Sequence, residues 1–526
     1  MNLKIRFSAL VLVFLQISSS VGASNILGLF LTHSPSHVIV HMSIIRALVE
    51  RGHNVTVITS IPLNVTNPAC RYILVKEYKP SSDMVKSMVN KPEENGSLYL
   101  RTMRFFGAIE KVADEYADFA LDPNFIEFMK EDNKFDLMVL GFLFNNYQLG
   151  VAAHFKCPVV LSFVIQPVGY LSRLIGNPTL PAFVPLSPFM DSKPMDFLAR
   201  VNNFIVCILE WVMTYKFDLN GRHIYEKHFP IDKYPSYSEM KENISLIFTN
   251  HHFSEGPIRP LVPGLVEIGG IQIKEKPDQL PEDIEEFLNN STDGAIFFSL
   301  GSNVRSNHLG SNVFDTIFNV LSTLPYNVIW KYDQADGQRN ASNILFKKWI
   351  PQDDILAHKN LKLFVTHAGK GGTTESEYHG VPMVALPIML DQFTNAESIV
   401  EKGHGVKLNY QTMTEESFRE AILDVMRNDK YRIAVQKFSK IYRDRPQTAR
   451  ENVVYWTEYI IRHKGAPHMQ SPLKTMNVLQ ANSIDVILFL VLIVYVAFKV
   501  VKFLGQFLVR GLKKLLNGKT IKNKDE

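Results

Sequence analysis

Two halves of this chain repeat one local pattern, and that pattern constrains the fold more than any other feature. Residues 25–31 form a short apolar run, and residues 38–50 carry apolar side chains at helical spacing. The β-branched segment 54–59 follows after a short turn. A strand, a helix and a second strand within about 35 residues predict a βαβ unit with parallel strands.

The same pattern returns along the rest of the chain. Residues 135–142 and 157–163 predict two more strands, with a helix over 146–155 between them. A second series begins near residue 256 and predicts strands at 295–300, 326–332, 361–367 and 381–387. The sequence therefore predicts an α/β protein with two Rossmann-like, doubly wound domains. Ligands of such domains bind at the carboxyl ends of the strands, here in a cleft between the domains.

The two ends of the chain carry apolar segments of different kinds. Lys4 and Arg6 precede a short apolar run that ends in small residues, which predicts a signal peptide over residues 1–23. Residues 484–504 are apolar and long enough for a transmembrane helix. The basic segment 505–526 predicts a cytosolic tail, so the folded domains are expected in the lumen.

The tail and the sequons refine the predicted location. The last five residues, KNKDE, resemble a dilysine signal that returns membrane proteins to the endoplasmic reticulum. The basic, amphipathic segment before them predicts contact with membrane lipid of the anionic leaflet. Glycosylation sequons at Asn64, Asn95, Asn243, Asn290 and Asn340 fit a lumenal protein.

Composition narrows the classes of partner. The net charge is only +4, and no basic patch with interleaved aromatic residues occurs, so nucleic acid is not an expected partner. Three cysteines are too few for a disulfide framework. The sequence leaves the oligomeric state open, a homo-oligomer included.

Residues 366–382 read THAGKGGTTESEYHGVP and join a strand to a helix. The pattern predicts that His367 ends the strand, that residues 368–372 form a loop, and that a helix begins at Thr373. Free backbone N–H groups and the positive end of a helix dipole would make this turn an anion site. Glycines would let the backbone approach a phosphate closely. A tight turn packed only for structural reasons is the alternative.

The flanks of this turn carry a family resemblance. Residues 349–392 read WIPQDDILAHKNLKLFVTHAGKGGTTESEYHGVPMVALPIMLDQ and closely resemble the signature of the family 1 UDP-glycosyltransferases, whose fold is GT-B. Further likenesses are SHVIVHMSIIRALVERGHNVTVIT, VEIGGIQI, FSLGS and ARENVVYWTEYIIRHKGAPHM, so the resemblance covers almost the whole mature chain. The signal peptide, late anchor and lysine tail are similar to the membrane-bound animal members, and the insect branch in particular.

The resemblance and the strand pattern together predict the domain organisation. An acceptor-binding Rossmann-like domain would span 24–246 and a UDP-sugar-binding one 282–446, with a linker over 247–281. A C-terminal helix and stalk would follow over 447–483, before the membrane segment. The stretches 61–128 and 166–237 would shape the acceptor pocket, but the sequence does not identify the acceptor.

The resemblance implies a role for each residue of the donor site. Trp349 would stack on uracil, Gln352 would pair with the uracil edge or the ribose, and Glu375 would accept hydrogen bonds from the ribose hydroxyls. The diphosphate would lie against Ser302, His367 and the backbone of Gly369, Gly371 and Gly372. Asp391 and Gln392 would bind the hydroxyls of the sugar. Taken singly, Asp391 could be a helix cap and Trp349 a core residue.

Catalysis in this family implies a base in the N-terminal half. His37, at the start of the first predicted helix, would take the proton of an acceptor hydroxyl as that oxygen attacks the anomeric carbon. His33, His37 and His41 are spaced by four, so a metal cluster is the alternative, although His41 is expected to face the helix packing side. The resemblance implies no metal and no cofactor, the UDP-sugar being a co-substrate.

Three positions depart from the family pattern. Ala368 stands where a glycine is usual, and Gly371 where an asparagine is common. Gly141 stands where many members have an aspartate that orients the catalytic histidine, and Asn145 or Asn146 is the predicted replacement. These departures leave a second hypothesis open, a non-catalytic carrier or receptor for UDP-sugar or a hydrophobic ligand. A membrane-anchored adhesion ectodomain is a third, and transfer of glucose from UDP-glucose to small lipophilic acceptors is favoured over both.

Overall fold

The structure, a computed structural model, describes residues 22–32, 34–63, 67–76, 98–185, 194–301, 311–332 and 340–522. The described ranges contain neither His33 nor Ser302, and they contain only residues 22 and 23 of the predicted signal peptide. The chain divides into one compact unit that runs to Gln470 and a second that begins at Ser471. Each unit is described by itself.

Seven parallel strands form the first sheet. Their order is β3-β2-β1-β4-β5-β6-β7, so the chain starts in the middle and winds outward in both directions. The bounds are β1 Asn25–Phe30, β2 Asn54–Thr59, β3 Cys70–Leu74, β4 Leu137–Gly141, β5 Val159–Phe163, β6 Ile244–Thr249 and β7 Leu265–Glu267. The reversal of direction between β1 and β4 opens a crevice at their carboxyl ends.

The second sheet has six parallel strands and repeats the same winding. Its order is β10-β9-β8-β11-β12-β13, which places β8 and β11 where β1 and β4 lie in the first sheet. The bounds are β8 Ala295–Ser299, β9 Asn327–Lys331, β10 Ile344–Lys347, β11 Leu361–Thr366, β12 Met383–Ala385 and β13 Gly405–Lys407. The predicted fold class is confirmed.

Helices connect the strands and cover both sheets. In the first half they are α1 Pro35–Arg51, α2 Leu98–Glu115, α3 Pro123–Lys130, α4 Leu149–Phe155, α5 Gly169–Ile175, α6 Phe197–His228 and α7 Tyr237–Glu242. In the second half they are α8 Glu282–Asn289, α9 Ser311–Leu321, α10 Gln352–Leu356, α11 Lys370–His379, α12 Gln392–Glu401, α13 Glu415–Arg427, α14 Asp429–Arg443 and α15 Ala449–Arg462. Short 3₁₀ turns span Phe119–Leu121, Asn146–Gln148 and Pro467–Met469.

Each sheet is buried on both faces, which explains why its strands are continuous apolar runs. In β1, Leu27 and Leu29 belong to one apolar cluster and Ile26 and Phe30 to another on the opposite face. The strand β8 alternates in the same way between two further clusters. Successive side chains of a strand point to opposite faces, so this division follows directly from the pleat.

Two parts of the first domain come from beyond residue 246. The strands β6 and β7 extend the first sheet to Glu267, so residues 247–249 and 265–267 of the predicted linker are strand. The helix α15 packs on α1 through Val453 and Ile460, which share a cluster with Ile44. The first domain is therefore completed by chain that follows the second.

The helix α6 is one continuous helix of 32 residues with two different faces. Val206, Phe217 and Tyr225 are buried, whereas Phe204 and Trp211 are about half exposed. The part of the chain that the structure describes holds two helices apolar and long enough to cross a membrane, and α6 is one of them.

The second unit contains a 3₁₀ turn at Pro472–Lys474, a short helix α16 at Val478–Ala481 and a long helix α17 at Ile484–Lys522. The residues 484–514 of α17 are the second candidate membrane span, and none of its most apolar window is buried. A fully exposed apolar helix of this length fits the transmembrane prediction.

Candidate active site

The turn after β11 differs from its prediction in where the helix starts. The helix α11 begins at Lys370 rather than Thr373, with Gly369 at its N-cap and the Thr373 amide donating to the Gly369 carbonyl. Gly371 and Gly372 therefore lie in the first helical turn. The first amides of a helix have no intrahelical acceptor, so the amides available to an anion are those of residues 370–372.

His367 lies between two glycines of the turn. A Cβ added at Gly369 would meet His367 Nε2 at 2.4 Å, and one at Gly301 would meet its Cε1 at 2.6 Å. Burial, with Lys331 nearby, lowers the pKa of His367 to about 4. Its Nδ1 is buried and has no hydrogen-bond partner among the residues that the structure describes. A neutral imidazole with an unsatisfied nitrogen in a glycine slot is suited to a polar ligand.

Trp349 presents its indole to solvent. The side chain is 67% exposed, which excludes the alternative that it is a core residue. The Lys331 Nζ lies 5.1 Å from the centroid of the Trp349 ring and donates to the Gly301 carbonyl at 3.2 Å. Sequence reasoning missed Lys331, although its position at the end of β9 places it at the same sheet edge as His367. An exposed indole beside a lysine offers an aromatic face and a positive charge.

The structure brings the side chains of Gln352 and Glu375 into contact. Gln352 Nε2 donates to Glu375 Oε2 at 2.6 Å. Burial raises the pKa of Glu375 to about 8, while the hydrogen bond from Gln352 opposes that rise. A Cβ at Gly372 would lie 3.2 Å from Gln352 Nε2, whereas one at Gly371 would meet nothing within 4 Å. Gly372 thus packs against this pair, and Gly371 faces open space.

Asp391 and Gln392 begin α12 but differ in their contacts. Asp391 is at the N-cap, yet its carboxylate accepts from the Asn395 side chain at 2.8 Å rather than capping the helix. Asn395 Nδ2 also donates to the Ala368 carbonyl at 3.0 Å, which ties Asp391 to the glycine turn. Gln392 Oε1 accepts from the Ile388 and Met389 amides. The side-chain carbonyl of Gln392 therefore holds the preceding loop. Asn395 is a residue of this region that sequence reasoning missed.

A cavity of about 100 Å³ lies beside Asp391, between the two domains. Glu255, Lys370, Glu397 and Glu401 also line it. Lys370 Nζ pairs with Glu255 Oε1 at 2.6 Å, and Thr374 Oγ1 donates to the same oxygen at 2.9 Å. Burial alone would raise the pKa of Glu255, but Lys370 holds it at about 2. The lysine of the glycine turn is thus neutralised by a buried carboxylate.

His37 lies in the first turn of α1, directly after β1. Its backbone N–H donates to the Ser34 carbonyl at 3.1 Å, and its side chain is partly exposed. Pro35 starts the helix at the first position, where its missing N–H costs nothing. His37 therefore lies at the carboxyl edge of the first sheet.

The two asparagines predicted to replace the aspartate have other contacts. Asn145 Nδ2 donates to the Gly141 carbonyl and to Gln148 Oε1, and its Oδ1 accepts from the Leu143 amide. Asn146 Nδ2 donates to the Tyr170 hydroxyl. These hydrogen bonds hold the chain after β4, and none of them goes to His37.

The histidine series of α1 is arranged by packing. His41 is 3% exposed, as expected for the packing side, and its Nδ1 lies 2.8 Å from Ser162 Oγ. Over the described ranges no group of three or more His, Cys, Asp or Glu side chains could hold a metal ion.

The fold and this site define a two-domain glycosyltransferase of the GT-B class. A solved complex of a UDP-glucosyltransferase from Polygonum tinctorium capable of glucosylating indoxyl and 3,4-dichloroaniline covers 84% of this chain and 99% of its own, with a TM-score of 0.54 and 15% identity. At that identity the likeness establishes the fold alone. The spinosyn forosaminyltransferase SpnP gives a TM-score of 0.53.

Sequence relatives establish the family. A family model described as UDP-glucoronosyl and UDP-glucosyl transferase matches residues 28–519. UDP-glucosyltransferase 2 of Dactylopius coccus is 31% identical over 96% of this chain and 97% of its own. UDP-glucuronosyltransferase 1A9 of Homo sapiens is 33% identical over 71% of this chain and 69% of its own. The chain belongs to the UDP-glucuronosyl and UDP-glucosyl transferase family, which confirms the resemblance, and it is a glycosyltransferase that uses a UDP-sugar donor and a small acceptor.

Proposed function

We propose that this enzyme transfers glucose from UDP-glucose, with inversion, to a hydroxyl of small lipophilic acceptors, and that His37 is the general base. The observation that supports this most directly is the pairing of two half-sites. One carries a partly exposed imidazole at the carboxyl edge of the first sheet, and the other a glycine turn with free amides at the carboxyl edge of the second.

Donor binding would begin with the nucleotide. The exposed indole of Trp349 stacks on uracil, and the Gln352–Glu375 pair binds the base edge and the ribose hydroxyls. The diphosphate lies against His367 and the amides of the first turn of α11. Lys331 supplies a positive charge beside them, and Ser302, outside the described residues, keeps its predicted role as a hydroxyl donor.

The chemical step follows from the two half-sites. The acceptor hydroxyl gives its proton to the His37 imidazole while its oxygen forms a bond to the anomeric carbon of the sugar. The bond from that carbon to the phosphate oxygen breaks on the opposite face, and the electron pair leaves with UDP. The helix amides and Lys331 stabilise the charge on UDP, so the reaction proceeds without a metal ion.

The choice of glucose rests on the cavity beside Asp391. Its carboxylates suit the hydroxyls of a neutral sugar, with Asp391 and the side-chain amide nitrogen of Gln392 binding them. Because Lys370 is paired with Glu255, it is not available for the carboxylate of a glucuronate donor. The name of the Dactylopius coccus relative, UDP-glucosyltransferase 2, points the same way.

The apolar surroundings support the remaining assignments. Phe106, Phe144 and Phe217 form an aromatic group in the first domain, close to the chain that carries the predicted acceptor pocket.

The apolar helix over residues 484–514 and the lysine tail support a location in the membrane of the endoplasmic reticulum, with the catalytic domains in the lumen.

The test is an assay of microsomes that contain the full-length protein, with labelled UDP-glucose or UDP-glucuronate and a panel of phenols. We expect glucoside formation by the wild type and a fall of at least about 100-fold in His37→Ala, with UDP binding unchanged. Binding of UDP-glucose without any product would identify a carrier instead. Transfer from UDP-glucuronate at an equal rate would overturn the donor assignment.

A further inference from the structure

The ring of His41 lies at the carboxyl ends of three neighbouring strands, one helical turn after His37. From β1, Phe30 stacks on it with ring centroids 4.9 Å apart and planes 17° apart. From β5, Ser162 Oγ is 2.8 Å from its Nδ1. From β4, Gly141 faces its Nε2. The ring is therefore fixed on three sides.

Glycine is the residue type that fits at position 141 while the His41 ring keeps its place. A Cβ added there would lie 2.9 Å from His41 Nε2 and 3.0 Å from Phe30 Cδ1, closer than van der Waals contact permits. Gly141 is also the direct neighbour of Ser162 in the register of β4 and β5. Any side chain at residue 141 would point into the space that the His41 ring occupies, so the two positions are sterically coupled.

The geometry of α1 connects His41 to the base. Residues four apart on a helix lie on the same face, one above the other, so His41 is beneath His37. The two imidazoles interact electrostatically, because His37 contributes to the lowered pKa of His41. Burial is the larger cause and brings the pKa of His41 to about 3, so its ring stays neutral at any physiological pH.

We propose that His41, clamped by Ser162 and Phe30, is the positioning residue for His37 and takes the space that an orienting side chain at residue 141 would fill. The inference rests on the proposed role of His37 as base. It also explains why Asn145 and Asn146 can be used to hold the chain after β4. His41 acts by fixing the first turns of α1 and by filling the space below His37, and it does not touch the substrate.

The experiment uses full-length protein in microsomes with UDP-glucose and a phenol. His41→Phe keeps the stack on Phe30 but loses both ring nitrogens, and we expect kcat to fall about 10-fold through misplacement of His37. KM for UDP-glucose and the affinity for UDP should not change, because the donor site is in the other domain. The apparent pKa of the acid limb of kcat/KM should shift, since the ring beneath His37 has changed.

Ser162→Ala removes the clamp with little change in volume, and we expect a smaller loss of kcat in the same direction. Ser43→Ala is the matched control, because it removes a buried hydroxyl of α1 that donates to the Ile39 carbonyl within the same helix. Folding is followed by the melting temperature of each variant. An unchanged kcat and pH profile in folded His41→Phe and Ser162→Ala would overturn the inference, and so would an equal loss in Ser43→Ala.

Introducing a carboxylate at residue 141 tests whether activity lost in a His41 variant can be recovered. Gly141→Asp alone should lose activity because the new Cβ meets the His41 ring. In the double variant His41→Ala with Gly141→Asp the space is free, and we expect more activity than in His41→Ala alone. No recovery over His41→Ala would count against steric coupling. If His37→Ala were fully active the base assignment itself would fail, whereas an inactive His37→Ala beside unaffected His41 variants would sink only this inference.

Discussion

In each of the two sheets a histidine ring lies against glycine at the carboxyl ends of the two central strands. The two rings differ in whether Nδ1 has a hydrogen-bond partner. His41 lies beside Gly141 at the ends of β1 and β4, and its Nδ1 is paired with Ser162. His367 lies between Gly301 and Gly369 at the ends of β8 and β11, and its Nδ1 has no partner. The same topology thus holds one imidazole whose Nδ1 is paired and one whose Nδ1 has no partner among the described residues.

The difference separates structural from ligand-binding chemistry. A buried polar atom without a partner costs free energy unless a ligand completes it, so the His367 slot is suited to bind. The His41 Nδ1 already has a partner in Ser162, so the His41 slot is suited to position a neighbour. The neighbours of the two rings fit this difference. The cation Lys331 lies near His367, whereas the imidazole of His37 lies near His41.

The largest expected effect comes from filling the slot of His367. Gly369→Ala would place a Cβ 2.4 Å from His367 Nε2 and force the ring out of position. We expect UDP-glucose affinity to fall about 10- to 100-fold, since overpacking costs about 1–3 kcal/mol. Isothermal calorimetry with UDP-glucose measures it. Gly371→Ala is the control, because its Cβ meets nothing within 4 Å, and an equal loss in both variants would remove the special status of the slot.

Truncating the indole tests the ligand side of the same region. Trp349→Ala should weaken UDP binding by about 10-fold, because stacking of a base on an aromatic ring contributes roughly 1–3 kcal/mol. The melting temperature should hardly change, since the side chain is 67% exposed. Trp349→Phe should keep most of the affinity. A large loss of stability with intact UDP binding would contradict a stacking role.

The titration of Glu375 gives a pH-dependent prediction. Burial raises its pKa from 4.5 to about 8, so folding takes up a proton between these values and stability falls as the pH rises through that window. Glu375→Gln removes this loss. Because one pKa unit corresponds to about 1.4 kcal/mol, we expect the ligand-free variant to be at least about 1 kcal/mol more stable than wild type at pH 8, and no more stable at pH 4.

Denaturant unfolding of the detergent-solubilised protein at the two pH values measures this difference. A stability gain that is the same at pH 4 and pH 8 would show that Glu375 is not the group responsible. UDP should stabilise the variant less than the wild type, because the ribose loses a carboxylate acceptor.

The smallest effect is expected at the departure from the family in the same turn. Ala368 has φ of 60°, in the left-handed region, and is fully buried. An alanine there costs about 1 kcal/mol, part of which is offset because glycine has more freedom to lose on folding. Ala368→Gly should therefore raise the free energy of unfolding by up to about 1 kcal/mol and leave UDP affinity unchanged. A clear destabilisation would mean that the Ala368 methyl contributes more by packing than its backbone strain costs.

Much of the fold could be predicted from the sequence because its signals are local. The strand over residues 54–59 and the strand of 361–366 follow from uninterrupted apolar or β-branched runs between turn residues. The sequence pattern does not predict the strands β3, β6, β7, β10 and β13. Three of them, β7, β10 and β13, have only three or four residues, which carry too weak a pattern. The start of α11 was placed three residues late because glycines discourage a helix prediction that the N-cap geometry overrides.

The site was predictable where residues share a motif and not where they meet only in space. Trp349, Gln352, His367, Glu375 and Asp391 lie in one stretch of chain, and the structure places the Gln352 and Glu375 side chains in contact. Lys331 and Glu255 come from separate segments, and Asn395 lies three residues beyond the motif. Of these three, only Lys331 carries a local signal, its position at the end of a predicted strand. The replacement for an orienting group at Gly141 was sought in nearby asparagines, whereas the ring that fills the space belongs to α1, 100 residues earlier.

The return of α15 to the first domain decides where the membrane anchor can be removed. Glu458 pairs with Arg51 at 2.8 Å and Arg450 with Glu50 at 2.8 Å, so α15 contacts α1, the helix that carries the proposed base His37. A soluble form that ends before residue 449 would expose Ile44 and its neighbours to solvent. The packing that holds α1 against the first sheet would then be weakened. One that stops at Gln470 retains the whole compact unit, which makes it the natural end point for crystallisation and calorimetry.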